Sequence, residues 1–246
     1  MGTDLIKRSS KGQLPVNRRD TVPTSPLKRE NLGIQVFEQL KRMILRGEIS
    51  SGTRIVESEI ALSMGISRTP VREAVHKLEV EGLLTHLSKG GYAVRGLTIS
   101  DIEDTFDIRS ILESFAGYLA AKRHTDGELV TLESKIDEFQ RYLDRGDLKR
   151  LSAVNTDFHE ALYELSRSHR LIKMIHGLKD EIEFLRKIIL NSEEMARLSN
   201  RDHREIVEAI KQRDAKKVEQ QLKEHILRGK EFVLNEIKKG SVSIGS

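Results

Sequence analysis

Residues 65–74 read Gly65-Ile66-Ser67-Arg68-Thr69-Pro70-Val71-Arg72-Glu73-Ala74. Gly65 can close one helix, Ser67 can cap the next, and Pro70 falls in the first turn, where a missing N–H is tolerated. The apolar residues Val71, Ala74, Val75 and Leu78 then recur at helical spacing and define an inward stripe. Ser67, Arg68, Thr69 and Arg72 are left outside that stripe, near the helix start. Such a helix suits a DNA major groove: an arginine fork bonds guanine O6 and N7, and a hydroxyl can take a phosphate.

The flanking sequence places this helix third in a small domain. Upstream, Ile34, Phe37, Leu40, Ile44 and Leu45 fall at helical spacing, and Gly47 is placed to end that helix. Arg54-Ile55-Val56 reads as a short extended run after the Ser51-Gly52 turn. A second helix, about Ser58 to Met64, carries Ile60, Ala61 and Met64. Downstream, Leu83 to Leu87 and Tyr92-Ala93-Val94 flank the turn Ser88-Lys89-Gly90-Gly91, a β-hairpin signal. Three helices followed by a hairpin predict a winged helix-turn-helix over residues 32–96, its strand at 54–56 pairing with the hairpin. Lys89 and Gly90 at the wing tip are expected at the minor groove or backbone. Arg42, Arg46 and Arg54 are candidates for phosphate contact or for a solvated surface.

The rest of the chain has a different texture. Pro15, Pro23 and Pro26 fall in a basic stretch without hydrophobic period, so residues 1–31 read as a disordered basic tail. Residues 1–30 hold seven Lys/Arg against three Asp/Glu, whereas residues 97–246 hold 26 against 28, so an anionic partner would meet the N-terminal part. From 97 to 239 there is no proline, and amphipathic segments follow one another. These predict an all-α bundle of about six helices, with residues 240–246 as a flexible tail. The first segment carries Ile102, Phe106, Ile111, Leu112, Phe115 and Leu119; the fourth carries Leu171, Met174, Ile175, Leu178, Ile182, Leu185 and Ile189. The expected class is therefore mainly α. The absence of cysteine excludes disulfides, thiolate metal sites and cysteine nucleophiles. It leans towards a cytoplasmic setting, and no apolar run is long enough for a membrane span.

Histidines in the bundle carry the second chemical signal. Asn155 and His159 are four apart on one helix face, flanking Phe158 of the apolar stripe. His203 precedes Ile206, Val207 and Ile210 by helical steps, and His225 follows Val218 and Leu222 on an apolar face. Three imidazoles and an amide oxygen from three helices can converge on one divalent transition metal, with zinc or nickel suited to such donors. Because imidazole coordinates only when neutral, affinity is expected to fall below a pH of about 6.5. Two other readings use the same residues. A three-histidine metal with open positions can activate water in an enzyme, though no general base stands at motif spacing. An architectural DNA-binding protein would need only an inert helical dimerisation domain, which has no use for inward histidines.

The run Gly47-Glu48-Ile49-Ser50-Ser51-Gly52-Thr53-Arg54-Ile55-Val56-Glu57, the stretch 65–74, and Leu78-Glu79 with Glu81-Gly82-Leu83 resemble the DNA-binding domain of GntR-type transcriptional regulators. Arg109 with Leu112-Glu113, then Asn155-Thr156-Asp157-Phe158-His159, His203 and His225 resemble the FCD effector domain of the FadR subfamily. The resemblance implies a homodimer on double-stranded operator DNA and a small carboxylate metabolite as effector, with no membrane association. It implies that Arg109 points into the effector pocket, the alternative being a buried ion pair with a glutamate; Arg186 is a candidate of the same kind. The first ligand position is often Asp in that family and is Asn155 here, which is expected to weaken the metal and to leave more positive charge for an anion.

Overall fold

The computed structural model describes residues 30–242 and 244. Residues 1–29 of the expected basic tail, and residues 243, 245 and 246 of the C-terminal one, lie outside the described residues. The first helix, α1 (Glu30–Leu45), starts two residues before the expected domain boundary. It is followed by β1 (Arg54–Ile55), α2 (Glu57–Met64), α3 (Arg68–Val80), β2 (Leu84–His86) and β3 (Tyr92–Val94). The strands form an antiparallel sheet in the order β1-β3-β2, with Arg54 opposite Ala93 and Thr85 opposite Ala93 on the other side. This is the winged helix-turn-helix the spacing predicts. Gly65 ends α2 in the left-handed conformation at φ 65°, as its place before the second cap requires.

The bundle contains α4 (Ile99–Arg123), α5 (Leu129–Arg145), α6 (Leu148–Leu165), α7 (His169–His176), α8 (Lys179–Leu190), α9 (Glu193–Lys211) and α10 (Ala215–Lys238). Seven helices stand among the described residues where about six were expected. The predicted fourth helix is two: the chain turns at Gly177-Leu178, and Leu178, which accepts from the Ile182 N–H, opens α8. The apolar period runs through this junction without a break, so periodicity alone conceals the turn.

Helix α4 is central, packing along α10 and touching α6, α7 and α9. Gly117 permits the closest approach: a Cβ there would overlap Leu222 and come within 2.9 Å of Val218 on α10. Thr98 and Asp101 close a reciprocal capping box at its start, reinforced by an Arg95–Asp101 ion pair of 2.5 Å. The DNA-binding head does not have a separate core. Val71, Val75 and Leu78 belong to one apolar cluster with Ile102 and Phe106 of α4 and Leu185 of α8. At the same junction, Lys41 of α1 is buried with its ammonium 2.8 Å from Glu81, 3.2 Å from Glu181 and 3.7 Å from Asp180, the last two on α8. Burial works against its charge, but Glu181 and Glu81 outweigh it and raise the Lys41 pKa.

Residues placed in apolar stripes by the sequence but exposed in the fold include Ile34 at 49%, Ile111 at 64%, Phe115 at 45% and Met174 at 59%.

Candidate functional site

The recognition-helix residues stand where the sequence places them. Val71, Ala74, Val75 and Leu78 are fully buried beneath α3, and Ser67, Arg68, Thr69 and Arg72 are exposed. Ser67 occupies the cap position in extended conformation but makes no side-chain cap bond, which leaves its hydroxyl for another acceptor or donor. Arg68 rests 3.5 Å from Glu57 of α2 and is otherwise in solvent. One turn beyond Arg72, His76 continues the same exposed face, a position that sequence reasoning does not single out.

Lys89 and Gly90 are exposed at the wing tip, Gly90 with φ 82°. Arg54 is tied to that tip: its guanidinium donates to the Gly90 carbonyl at 2.9 Å, so it braces the wing. Arg42 and Arg46 are about half exposed, 3.7 Å from Glu38 and 3.8 Å from Glu48 respectively. They border a groove against Asp180, Phe184 and Lys187 of α8, which none of the α3 arginines lines.

Within the bundle, α6, α9 and α10 bring His159, His203 and His225 together, one donor atom from each lying within 4.8 Å of the others. Ring centroids are 5.1 Å apart for His159 and His203, 5.0 Å for His203 and His225, and 5.6 Å for His159 and His225. Phe158 stacks flat on His203 at 4.0 Å between centroids and fixes its plane. The His203 Nε2 and the Asn155 Oδ1 are buried without a hydrogen-bond partner. Orphaned donor atoms of this kind, converging from three helices, fit a resident cation. The His225 Nδ1 lies 3.0 Å from Asp202, a carboxylate that also accepts from Arg228 at 2.9 and 3.1 Å. A carboxylate behind a histidine turns the ring's other nitrogen towards the centre. Burial raises the Asp202 pKa, but His225 and Arg228 together bring it below its usual range.

A second charged cluster borders this one. Glu113 of α4 is fully buried, 2.8 Å from the Arg109 Nε, 3.4 Å from Arg186 and 3.2 Å from the His159 Nδ1. Arg186 also donates to the buried Tyr163 hydroxyl at 2.9 Å. Burial alone would push the Glu113 carboxyl up; Arg109, Arg186 and His159 reverse that and hold it well below the ordinary carboxylate range. The same burial, helped by Arg186, brings His159 down to about 3 and takes His203 well below 6.5. Burial thus favours the neutral form of both rings in the metal-free chain. The expected pH of about 6.5 for the fall in metal affinity is that of a free histidine, and burial lowers both of these rings from it.

The buried ion pair with a glutamate is present for Arg109 and also for Arg186. Each is engaged with Glu113, and both line a narrow cleft that is also bordered by Asn155, His159, His225 and Arg228. The Arg109 Nη1 and the Arg186 Nε in this cluster are buried without a partner. Two guanidiniums to one carboxylate leave an excess positive charge beside the histidines. Asp202, Arg228 and Tyr163 were missed by sequence reasoning. The only signals for them were that Asp202 precedes His203 and that Arg228 stands one helical turn after His225.

Comparison with known proteins agrees with both halves. The family described as bacterial regulatory proteins, gntR family, matches residues 32–94, and the FCD domain matches residues 104–228. The uncharacterized HTH-type transcriptional regulator YdhC of Bacillus subtilis (strain 168) is 33% identical over 195 residues, 79% of this chain and 85% of that protein. The probable D-xylose utilization operon transcriptional repressor of Paenarthrobacter nicotinovorans is 30% identical over 201 residues, 81% of this chain and 88% of that one. Among solved structures, E. coli McbR/YncC shares the fold, with a TM-score of 0.65 at 24% identity over 84% of this chain and 98% of that chain. Among the described residues no helix is long and apolar enough to cross a membrane. With its winged head and histidine-bearing bundle, the chain belongs to the GntR family of bacterial transcriptional regulators, in the branch with an FCD domain that the FadR subfamily typifies, and it is a DNA-binding regulator rather than an enzyme.

Proposed function

We propose that this regulator binds one divalent transition metal, zinc or nickel, through His159, His203, His225 and Asn155, and a small carboxylate metabolite in the adjoining cleft. The observation that carries this reading is the convergence of three histidine donors within 4.8 Å beside a cleft lined by Arg109, Arg186 and Arg228. The metal would supply a local positive charge to which an anion can bind. The protein's own side chains orient and select: Asp202 holds the His225 ring, Glu113 neutralises one of two buried arginines, and the remaining positive charge attracts a carboxylate. Neutral Asn155 leaves that field stronger than an aspartate would. The chain acts as a homodimer on a two-fold operator, and represses, as two relatives do by name. Native mass spectrometry for metal and co-purified acid, followed by operator release on adding that acid, tests the proposal; a metal-free, ligand-indifferent protein would overturn it.

The effector would reach the DNA through α8. That helix carries Arg186 at the cleft and, about one and a half turns earlier, Asp180 and Glu181 against Lys41 of the DNA-binding head. Lys41→Met is expected to leave metal affinity unchanged while reducing the change in operator affinity that the effector produces. Equal coupling in the variant and the natural chain would separate α8 from the response.

Arg68 and Arg72 are the base-reading candidates of α3. Alanine at either should cost about 1–3 kcal/mol of specific operator binding and relax selectivity at the contacted base. Lys89→Ala should mainly reduce the salt dependence. Unchanged gel-shift titrations for both arginine variants would remove α3 from the groove.

A further inference from the structure

The cleft beside the histidines is amphipathic, and the same helices supply both of its ends. On α4, Arg109 and Phe106 both line it, one turn apart. On α8, Arg186 lines it, and Ile189 and Leu190 follow one turn later. On α9, Asp202 stands with His225 and Arg228, and Leu198 and Met195 lie one and two turns before it. The apolar residues converge. Gly229 of α10 lines the cleft, and a Cβ there would come within 2.8 Å of the Ile189 Cδ1 and 3.5 Å of the Phe106 Cε1. The charged residues converge at the other end, where Arg109, Arg186 and His159 surround Glu113.

The two ends differ in what they can bond. The Arg109 Nη1, the Arg186 Nε and the Asn155 Oδ1, all buried without a partner, belong to the charged end. At the other end Phe106, Ile189, Leu190, Met195, Leu198 and Ile226 offer an oily wall, and the helical backbone beneath them is already bonded. Ser199 is the one hydroxyl in the lining among the described residues. A sugar acid reaching into this end would leave most of its hydroxyls without partners, and a second carboxylate would meet no cation; both are costly out of water. An alkyl chain has no such groups to satisfy and gains by leaving water. The narrowness of the cleft also suits a slim chain over a ring.

We propose that the effector is a short unbranched aliphatic monocarboxylate, its carboxylate at the arginine end and its chain between Phe106, Ile189 and Gly229. This rests on the effector reading above and names the class of acid. One helical turn is about 5 Å, the reach of about four methylenes, so affinity rises with chain length to about five or six carbons and then stops. Gly229 is a specificity residue in this arrangement. Any side chain there would take up part of the apolar end and displace Ile189, the wall beside it.

The test is a titration of the full chain, with zinc present, against acetate, butyrate, hexanoate, succinate and gluconate, each read as a rise in melting temperature. Each buried methylene is expected to tighten binding roughly fourfold, so hexanoate should bind about tenfold or more better than acetate. It should also outbind succinate and gluconate. Gly229→Ala favours the helix itself and should fold. It is expected to weaken hexanoate roughly tenfold while leaving acetate unchanged. No response to any of the five acids would overturn the effector reading and this inference with it. Succinate or gluconate binding as tightly as hexanoate would leave a carboxylate effector and overturn its aliphatic class, as would equal affinity for acetate and hexanoate. An unchanged ratio of hexanoate to acetate affinity in Gly229→Ala would overturn the placement of the chain between Phe106, Ile189 and Gly229.

Discussion

Glu113→Ala is expected to destabilise the chain by about 3–5 kcal/mol, because it strands two guanidiniums in the bundle interior. Glu113 is fully buried and engages Arg109 at 2.8 Å and Arg186 at 3.4 Å. Neither arginine can lose its proton, and both have side chains about 5% exposed or less, so the positive charges would remain without their counterion. For a chain of this size a loss in that range lowers the melting temperature by roughly 10 °C. Glu113→Gln separates charge from volume, since it preserves shape and should destabilise nearly as much. Replacing Glu113, Arg109 and Arg186 together with apolar residues of similar volume should recover most of the stability, as removal of a whole buried ionic group often does. The triple variant would also lose the positive field of the cleft, so recovered folding with abolished anion binding is the joint expected outcome. Calorimetry decides: a cost below about 1 kcal/mol for alanine is that of a solvated ion pair and would contradict the buried network.

The same residues show what the sequence could and could not disclose. The DNA-binding head was legible because each of its boundaries has a local cause: Gly65 in the left-handed region, Pro70 in a first turn, Gly90-Gly91 in a hairpin. The three histidines and Asn155 were legible because helical period places them on inward faces, and inward polar residues are informative. What the period cannot say is which partner covers a face. Ile111 and Phe115 were assigned to the core because they are apolar at helical spacing, yet α4 has two such faces and the bundle takes only one. Asp202 and Arg228 stayed invisible because their role depends on where α9 and α10 cross. Lys41 is a surface-type residue buried by α8, whose start was itself concealed by an apolar run that crosses Gly177 unbroken.

Metal binding is the other effect of large expected size. A cation that binds only the native state raises its apparent stability by RT ln(1 + [M]/Kd), about 2.7 kcal/mol at a hundredfold excess over Kd. Zinc-loaded protein should therefore melt roughly 5–10 °C above protein treated with a chelator. His203→Ala should melt at one temperature with or without the chelator. If it responds as the natural chain does, the ion sits elsewhere. The pH dependence of the metal-free protein supplies an independent reading of the same cluster. His159 has its pKa brought down to about 3, and His203 well below its usual value, chiefly by burial. Above a pH of about 6.5 these rings are neutral in both folded and unfolded chains and contribute no slope. As pH falls below that value the unfolded histidines take up protons that the folded ones refuse, so stability is lost at up to about 1.4 kcal/mol per pH unit for each ring. The loss from His159 continues until the pH reaches about 3. Replacing His159 and His203 by Gln should flatten the melting-temperature profile below a pH of about 6.5 relative to the natural chain, because burial keeps both native rings from taking up protons as readily as the unfolded ones do. An unflattened profile would mean that these rings take protons in the folded protein as readily as in the unfolded one, and so are solvated rather than enclosed.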